Sequence, residues 1–212
     1  MILQKTKMMY AGKRNMQITD RRNQRVKDIL GVVLFVAAVF VGAWLINLFV
    51  FRSFNVDGPS MENTLHTGDR LIVNRLPVSW SHLRGNAYSP ERGQVIVFKN
   101  PHWQPGRSDE YIVKRVIAYG GERVVLKNGV LKVHNSEYPD GFEVDAAYPG
   151  ALLPTDGEVD TTVPDGEIFV AGDHRQAGYS FDSRNGLGTI PLEDIVGPVL
   201  FRVYPFTKVE VF

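Results

Sequence analysis

The chain has 212 residues, 44% of them hydrophobic, enough for a membrane segment and one domain with a proper core. It contains no cysteine, which excludes a thiol nucleophile and a cysteine metal site. The formal net charge of +1 conceals an asymmetry: residues 1–28 carry eight Lys or Arg against two Asp (net +6), while the remainder has 16 basic and 21 acidic residues (net −5).

The basic tail stops abruptly at an apolar block, Ile29 to Phe51, whose only strongly polar side chain is Asn47. That junction favours a membrane over nucleic acid as the partner of the tail. About 20 apolar residues cross the hydrocarbon core of a bilayer, so the block is long enough to span it with some tilt. A cleaved secretory signal has a shorter apolar region, about 7–15 residues, and ends in small residues, whereas this block ends in Leu48, Phe49, Val50, Phe51 and Arg52. The expected organisation is a cytoplasmic tail (1–28), a transmembrane helix (29–51) and an extracytoplasmic domain (52–212), oriented by the excess of positive charge before the helix.

Immediately beyond comes "FNVDGPSMENTL", Phe54 to Leu65, which holds Ser60 in a turn built from Gly58 and Pro59. Runs rich in Val, Ile, Phe and Tyr follow at Asp69–Arg75, Gly93–Lys99, Tyr111–Tyr119, Gly166–Asp173 and Gly197–Tyr204, none with helical periodicity. Glu122–His134 reads as a hairpin, because Asn128 and Gly129 suit the positive φ angles of a type I′ turn. Pro77–Arg92 and Asn135–Pro164 read as loops or insertions, the second long enough to contain short strands such as Gly141–Val144. The class predicted is mainly β, an antiparallel β-sheet domain after one N-terminal transmembrane helix.

A serine alone is a poor nucleophile, and something must take its proton. The five histidines (His66, His82, His102, His134, His174) are scattered, with neither an HExxH pair nor a GxSxG elbow. Lys114 is the other candidate base, since it lies in "YIVKRVIAY" among Ile112, Val113, Val116 and Ile117. On strict alternation Lys114 shares one face of the strand with Ile112 and Val116, and Arg115 shares the other with Val113 and Ile117, so a cation must project among apolar neighbours. Desolvation lowers a lysine pKa by up to about 3–5 units and makes a neutral amine available near pH 7. The bland reading of the same strand is an edge lysine whose head reaches water. A second segment, Ala171 to Val199, holds Ser180, Asp182, Ser183 and Arg184 in a glycine-punctuated loop, where a hydroxyl and an Asp/Arg pair could position an amine. Trp80, Trp103 and Tyr88 lie in loops, where such aromatics either pack locally or rest on lipid headgroups.

Together these segments resemble the type I signal peptidase family, membrane-anchored serine/lysine proteases that remove signal peptides from exported proteins. The resemblance covers most of residues 30–204 in the right order: an anchor, "GPSMENTL" like SMxPTL, "DRLIV", "RGQVIVFKNP" like RGDIVVF, "KRVIAYGGERV" like KRVxGxPGD, and "GDHR…SFDSRNGLGTIP" like GDNRxxSxDSRxxGxVP. The sequence departs from these boxes at Asn63, Ala118, Gly120, Glu122 and His174, and "RQAGYS" is two residues longer than the family spacing before Ser180. The resemblance implies a signal-peptidase-like β-sheet domain with Ser60 as nucleophile, Lys114 as general base and Ser180 as the hydroxyl that orients the base. It makes Asp182 and Arg184 a structural ion pair. The Ser60 N–H becomes part of an oxyanion hole, to which Gly58 adds no side-chain donor where some members have a serine. It implies signal peptides of exported preproteins and the lipid bilayer as partners, no nucleic acid, and neither metal nor other cofactor. Two other readings share these residues: a self-cleaving repressor, disfavoured by the anchor and the lack of a DNA-binding module, and a non-catalytic membrane-anchored assembly factor of peptidase descent.

Overall fold

The computed structural model describes residues 27–47, 49–106, 109–145, 148 and 150–212, so most of the expected basic tail lies outside the described residues. The chain divides into two units, Met1–Asn47 and Leu48–Phe212. In the first unit a helix, α1 (Lys27–Asn47), is long and apolar enough to cross a membrane, and none of its apolar span is buried by protein. A helix hydrophobic on every side requires an apolar surround that water does not supply. The helical stretch is shorter than the apolar block: Phe51, the last apolar residue, is already the first residue of a strand.

The second unit is mainly β, as the sequence pattern predicts. Twelve strands among the described residues form two antiparallel sheets. The larger contains β1 (Phe51–Asn55), β2 (Arg70–Asn74), β3 (Val95–Lys99), β4 (Tyr111–Tyr119), β9 (Glu167–Ala171), β10 (Ile190–Pro191), β11 (Ile195–Tyr204) and β12 (Glu210–Val211). Its order is β1-β2-β11-β3-β4-β9-β10, with β12 paired to β11. The smaller has the order β7-β6-β5-β8, from β5 (Arg123–Lys127), β6 (Val130–His134), β7 (Phe142–Glu143) and β8 (Val159–Thr162). The β5–β6 hairpin turns at Asn128 (φ 53°) and Gly129 (φ 79°), the conformation that a type I′ turn demands. The Asn135–Pro164 segment supplies β7 and β8 to this sheet.

Pro77–Arg92 is not wholly loop. It begins within α2 (Leu76–Leu83), with proline in the first turn, where its missing N–H costs nothing. Val78 buries one side of this helix against Ile96, Phe98 and Ile195. Ser79 donates to Phe49 O (3.2 Å), and Arg75 N–H donates to Val50 O (2.8 Å).

Two packed regions bear on the site. Beneath the larger sheet, Met61 and Leu65 are fully buried with Leu71, Val73 and Val97, so the turn carrying Ser60 is pinned by its own next residues. Between the two sheets, Ile117 of β4 and Phe169 of β9 pack with Val124, Leu126, Leu131 and Val133. Strand β4 therefore lies between β3 and β9 and is covered on both faces, a placement that decides the environment of Lys114.

Candidate active site

Ser60 follows β1 by five residues, in a turn entered at Gly58 with φ 88°, a conformation glycine adopts at little cost. The turn closes by hydrogen bonds from Glu62 N to Pro59 O (3.0 Å) and Leu65 N to Met61 O (2.8 Å). It is tied across the fold as well. His174 N–H donates to Ser60 O (3.1 Å), and the His174 ring Nδ1 lies 3.2 Å from Pro59 O.

Lys114 is 3% exposed, and its Nζ donates to Ser60 Oγ at 2.7 Å and to Val113 O at 3.0 Å. These two residues, 54 positions apart in sequence, are thus in direct contact. The edge-lysine reading does not hold: β4 pairs with β9 only from Arg115 on, so Lys114 lies beside an unpaired edge, but its side chain is buried and its amine turns to Ser60 rather than out to bulk water. Burial is the largest influence on the amine and lowers its pKa to about 8, with Arg184 acting in the same direction and Asp182 and Asp173 opposing it. Its neighbour Arg115 takes the other face, as alternation requires, and there a bidentate pair to Asp173 (2.8 and 2.5 Å) and a bond to Gly93 O (2.7 Å) satisfy it.

The loop after β9 supplies the rest. Asp182 is fully buried and accepts from Arg184 (2.7 and 3.0 Å to the guanidinium), from Gly172 N–H (2.8 Å) and from Ser180 Oγ (2.6 Å). Burial alone raises its carboxyl pKa, but these donors and the Arg184 charge outweigh burial and hold it below the usual carboxylate range. Asp182 and Arg184 therefore form a buried ion pair. The Ser180 hydroxyl, which the resemblance aims at the lysine, gives its proton to Asp182, a charged acceptor stronger than an amine also shared with Ser60. Among the described residues, the hydrogen bonds of Lys114 do not include Ser180.

Gly172 explains how these parts fit. A β-carbon there would stand 2.2 Å from Ser180 Oγ and 2.3 Å from Ser60 O, so the nucleophile's backbone and the Ser180 side chain both close on a residue without one. Sequence reasoning missed this close approach, although the glycine sits in the "GDHR" box that signalled it. It also missed His174, whose ring stacks on Tyr179 at 4.0 Å and 7° between planes, and which links the two-residue extension of the loop to the Ser60 turn. Buried Arg175 bonds Gly172 O (2.7 Å) and pairs with Asp145, a residue in the insertion that no motif marks.

Ser60 and Lys114 open on a pocket of about 690 Å³ walled by Phe54, Val56, Tyr111, Val113 and Phe181. Phe54 belongs to β1, an edge strand, and Tyr111 and Val113 to β4, which pairs with β9 only from Arg115 on, so both strands present unpaired backbone along the pocket. Among the described residues, no group of three or more His, Cys, Asp or Glu side chains could hold a metal ion. The arrangement as a whole is a hydroxyl beside a desolvated amine in a mostly apolar cleft, which is the equipment of acyl transfer through a serine.

Residues 28–204 match the model of the family described as signal peptidase, peptidase S26. Signal peptidase IB of Staphylococcus aureus (strain COL) is 31% identical over 193 residues, covering 86% of this chain and 93% of the relative. Signal peptidase I of Bacillus amyloliquefaciens is 31% identical over 199 residues, covering 92% and 98%. A crystal structure of a signal peptidase I from Enterococcus faecalis V583 aligns with 53% of this chain and 98% of its own, at 22% identity and a TM-score of 0.38, too distant a likeness to bear on the site.

Proposed function

This chain belongs to the signal peptidase family, peptidase S26, and is a serine peptidase; from that premise we propose that it removes N-terminal signal peptides from exported preproteins with Ser60 as nucleophile and Lys114 as general base. The observation that carries the assignment is the 2.7 Å contact between Lys114 Nζ and Ser60 Oγ, made by an amine that is 3% exposed. A preprotein segment pairs between β1 and β4 with its scissile carbonyl over Ser60. Neutral Lys114 accepts the hydroxyl proton as Oγ attacks, forming the tetrahedral oxyanion. As that intermediate collapses and the C–N bond breaks, the lysine returns the proton to the departing amine of the mature chain, leaving Ser60 acylated by the signal peptide. Water, deprotonated by the same amine, then hydrolyses the ester. The Ser60 N–H serves the oxyanion, and Gly58 contributes no side-chain donor.

Asp182 and Arg184 hold the loop that places Gly172 against Ser60, and Ser180 acts on the base through Asp182 and through its packing on Gly172. With α1 as a single span, the tail in the cytoplasm and the domain outside, Ser60 follows the apolar block by only nine residues. It is therefore close along the chain to the membrane face where a translocated signal peptide ends. A non-catalytic assembly factor has no use for a buried amine in contact with a serine, so the site's geometry favours the enzyme.

The test is cleavage of a preprotein bearing an A-x-A site by detergent-solubilised wild type, Ser60→Ala and Lys114→Met, with product N-termini sequenced. Cleavage after the small residue by wild type, falling at least about 10³-fold in both folded variants, is the expected result. Equal processing by all three would remove both residues from the chemistry.

A further inference from the structure

The loop after β9 turns successive side chains in opposite directions. Ser180 and Asp182 are buried and bonded to each other, whereas Tyr179 and Phe181 are 51% and 48% exposed and line the pocket that holds Ser60. Both rings are held in place. Tyr179 stacks on His174, which is itself bonded to the Ser60 turn. Phe181 lies against the His102 ring at 6.3 Å between centroids, and the His102 ring Nε2 is 3.1 Å from Leu187 O. A β-carbon on Gly186 would stand 3.4 Å from Phe181 Cε2, so the ring is also backed by its own loop. Two aromatic rings fixed on one side and open on the other form a ready surface for an incoming side chain.

Which side chain reaches them follows from strand alternation. Along the unpaired stretch of β4, Tyr111 and Val113 pack with Phe54, Leu71 and Val97, while Ile112 packs on the other face with Phe98 and Leu187. The first wall is closed, since the Phe54 and Tyr111 rings meet at 5.2 Å and the Arg52 guanidinium covers both. The second is continued by Phe181 and Tyr179 and stays open. A peptide added to the β4 edge sends alternate side chains to the two faces. In an A-x-A site the two small residues lie two apart and share one face, so x takes the other. Small residues suit the closed wall, and a position free to be large requires the open one. The carboxylates of Asp57, Asp109 and Glu110 also line the pocket, where the only Lys or Arg among the described lining residues is the buried Lys114.

We propose that Tyr179 and Phe181 form a specificity subsite for the residue between the two small residues of the cleavage site, favouring a large aromatic or basic side chain and disfavouring an acidic one. This rests on the signal peptidase reading and on pairing of the preprotein with the open edge of β4. An aromatic side chain stacks on the two rings, and a lysine or arginine lays its stem on them with its charge toward the carboxylates. The longer loop "RQAGYS" is what brings Tyr179 onto His174, so the preference belongs to this chain rather than to the family pattern.

The test uses four preproteins that differ only at x, which is Ala, Phe, Lys or Glu, with the detergent-solubilised full-length chain and product N-termini sequenced. For wild type, kcat/KM with Phe or Lys should exceed that with Ala at least about tenfold, chiefly through KM, and Glu should be the poorest. Tyr179→Ala with Phe181→Ala should bring the Phe/Ala and Lys/Ala ratios to within about twofold of unity. A merely structural role would lower all four rates together and leave the ratios standing. Each single replacement keeps the other ring on its histidine and should lower the ratios part of the way, which keeps the test decisive should the double variant not fold. Equal use of all four preproteins by wild type, or ratios that persist in the variants, would overturn the subsite and leave the peptidase assignment intact. Cleavage of none by wild type would overturn that assignment and the subsite together.

Discussion

Burial sets the Lys114 amine at about 8, and a base works only when it is unprotonated. At pH 7 about one tenth of the molecules then carry a neutral amine. The sign follows directly: protonation removes the acceptor, so kcat/KM should rise about tenfold per pH unit below the pKa and level off above pH 8, provided the substrate does not titrate there. A profile with its limb near pH 6 would instead point to a histidine. The same scale shows what the sequence could and could not say. That a cation sits among Ile112, Val113 and Val116 was readable from alternation, but whether it reaches water depends on what packs over it, here the Ser60 turn and the loop after β9, which come from distant parts of the chain. His174 and Gly172 were invisible as partners of Ser60 because both act across 112 or more positions through backbone atoms, which no side-chain pattern reports. Gly172→Ala tests that contact. A β-carbon 2.3 Å from Ser60 O must move the nucleophile, and a shift of about 1 Å costs about 10² in kcat. Adding Ser180→Ala removes the Oγ contact but leaves the Ser180 β-carbon 2.9 Å away and the approach to Ser60 O untouched, so it should not restore activity, and circular dichroism should show both proteins folded.

At the scale of elements, the β-strands were legible because Val, Ile and Phe runs bounded by Gly or Pro have few other solutions, and the Asn128-Gly129 turn fixed one hairpin outright. Helix α2 was not, since eight residues offer little periodicity and Pro77 reads as a breaker until it is seen in a first turn. β1 was hidden for another reason: it begins inside the apolar block, whose composition reads as membrane throughout. The insertion Asn135–Pro164 was read as loop around short strands, yet it reaches the site. Its Asp145 pairs with Arg175, which is wholly buried and holds Gly172 O. Asp145→Ala leaves that guanidinium uncompensated, with a cost of about 3–5 kcal/mol. The melting temperature in detergent should fall by about 10 °C, and kcat should fall with it at temperatures where the variant is folded, because the Gly172 turn loses its brace. An unchanged melting temperature would make the insertion a mere appendage.

For the whole molecule, the decisive quantity is where the charge lies relative to the apolar helix. Along the chain, the net +6 of residues 1–28 precedes the apolar block and the net −5 of the remainder follows it, and short basic flanks are what retain a segment in the cytoplasm. Four of the eight cations, Arg21, Arg22, Arg25 and Lys27, fall within the last eight residues of that tail, well inside the distance over which the bias acts. Replacing these four by Gln removes the nearest part of the bias without touching the domain. A protease added to intact spheroplasts should degrade the wild-type domain nearly completely, whereas for the substituted chain an appreciable fraction should become protected and lose access to exported preproteins. Processing in cells should then fall in proportion to the protected fraction, while activity after detergent solubilisation should match wild type, because Ser60, Lys114 and their supports are unaltered. Equal losses before and after solubilisation would mean that the tail acts on the site rather than on orientation.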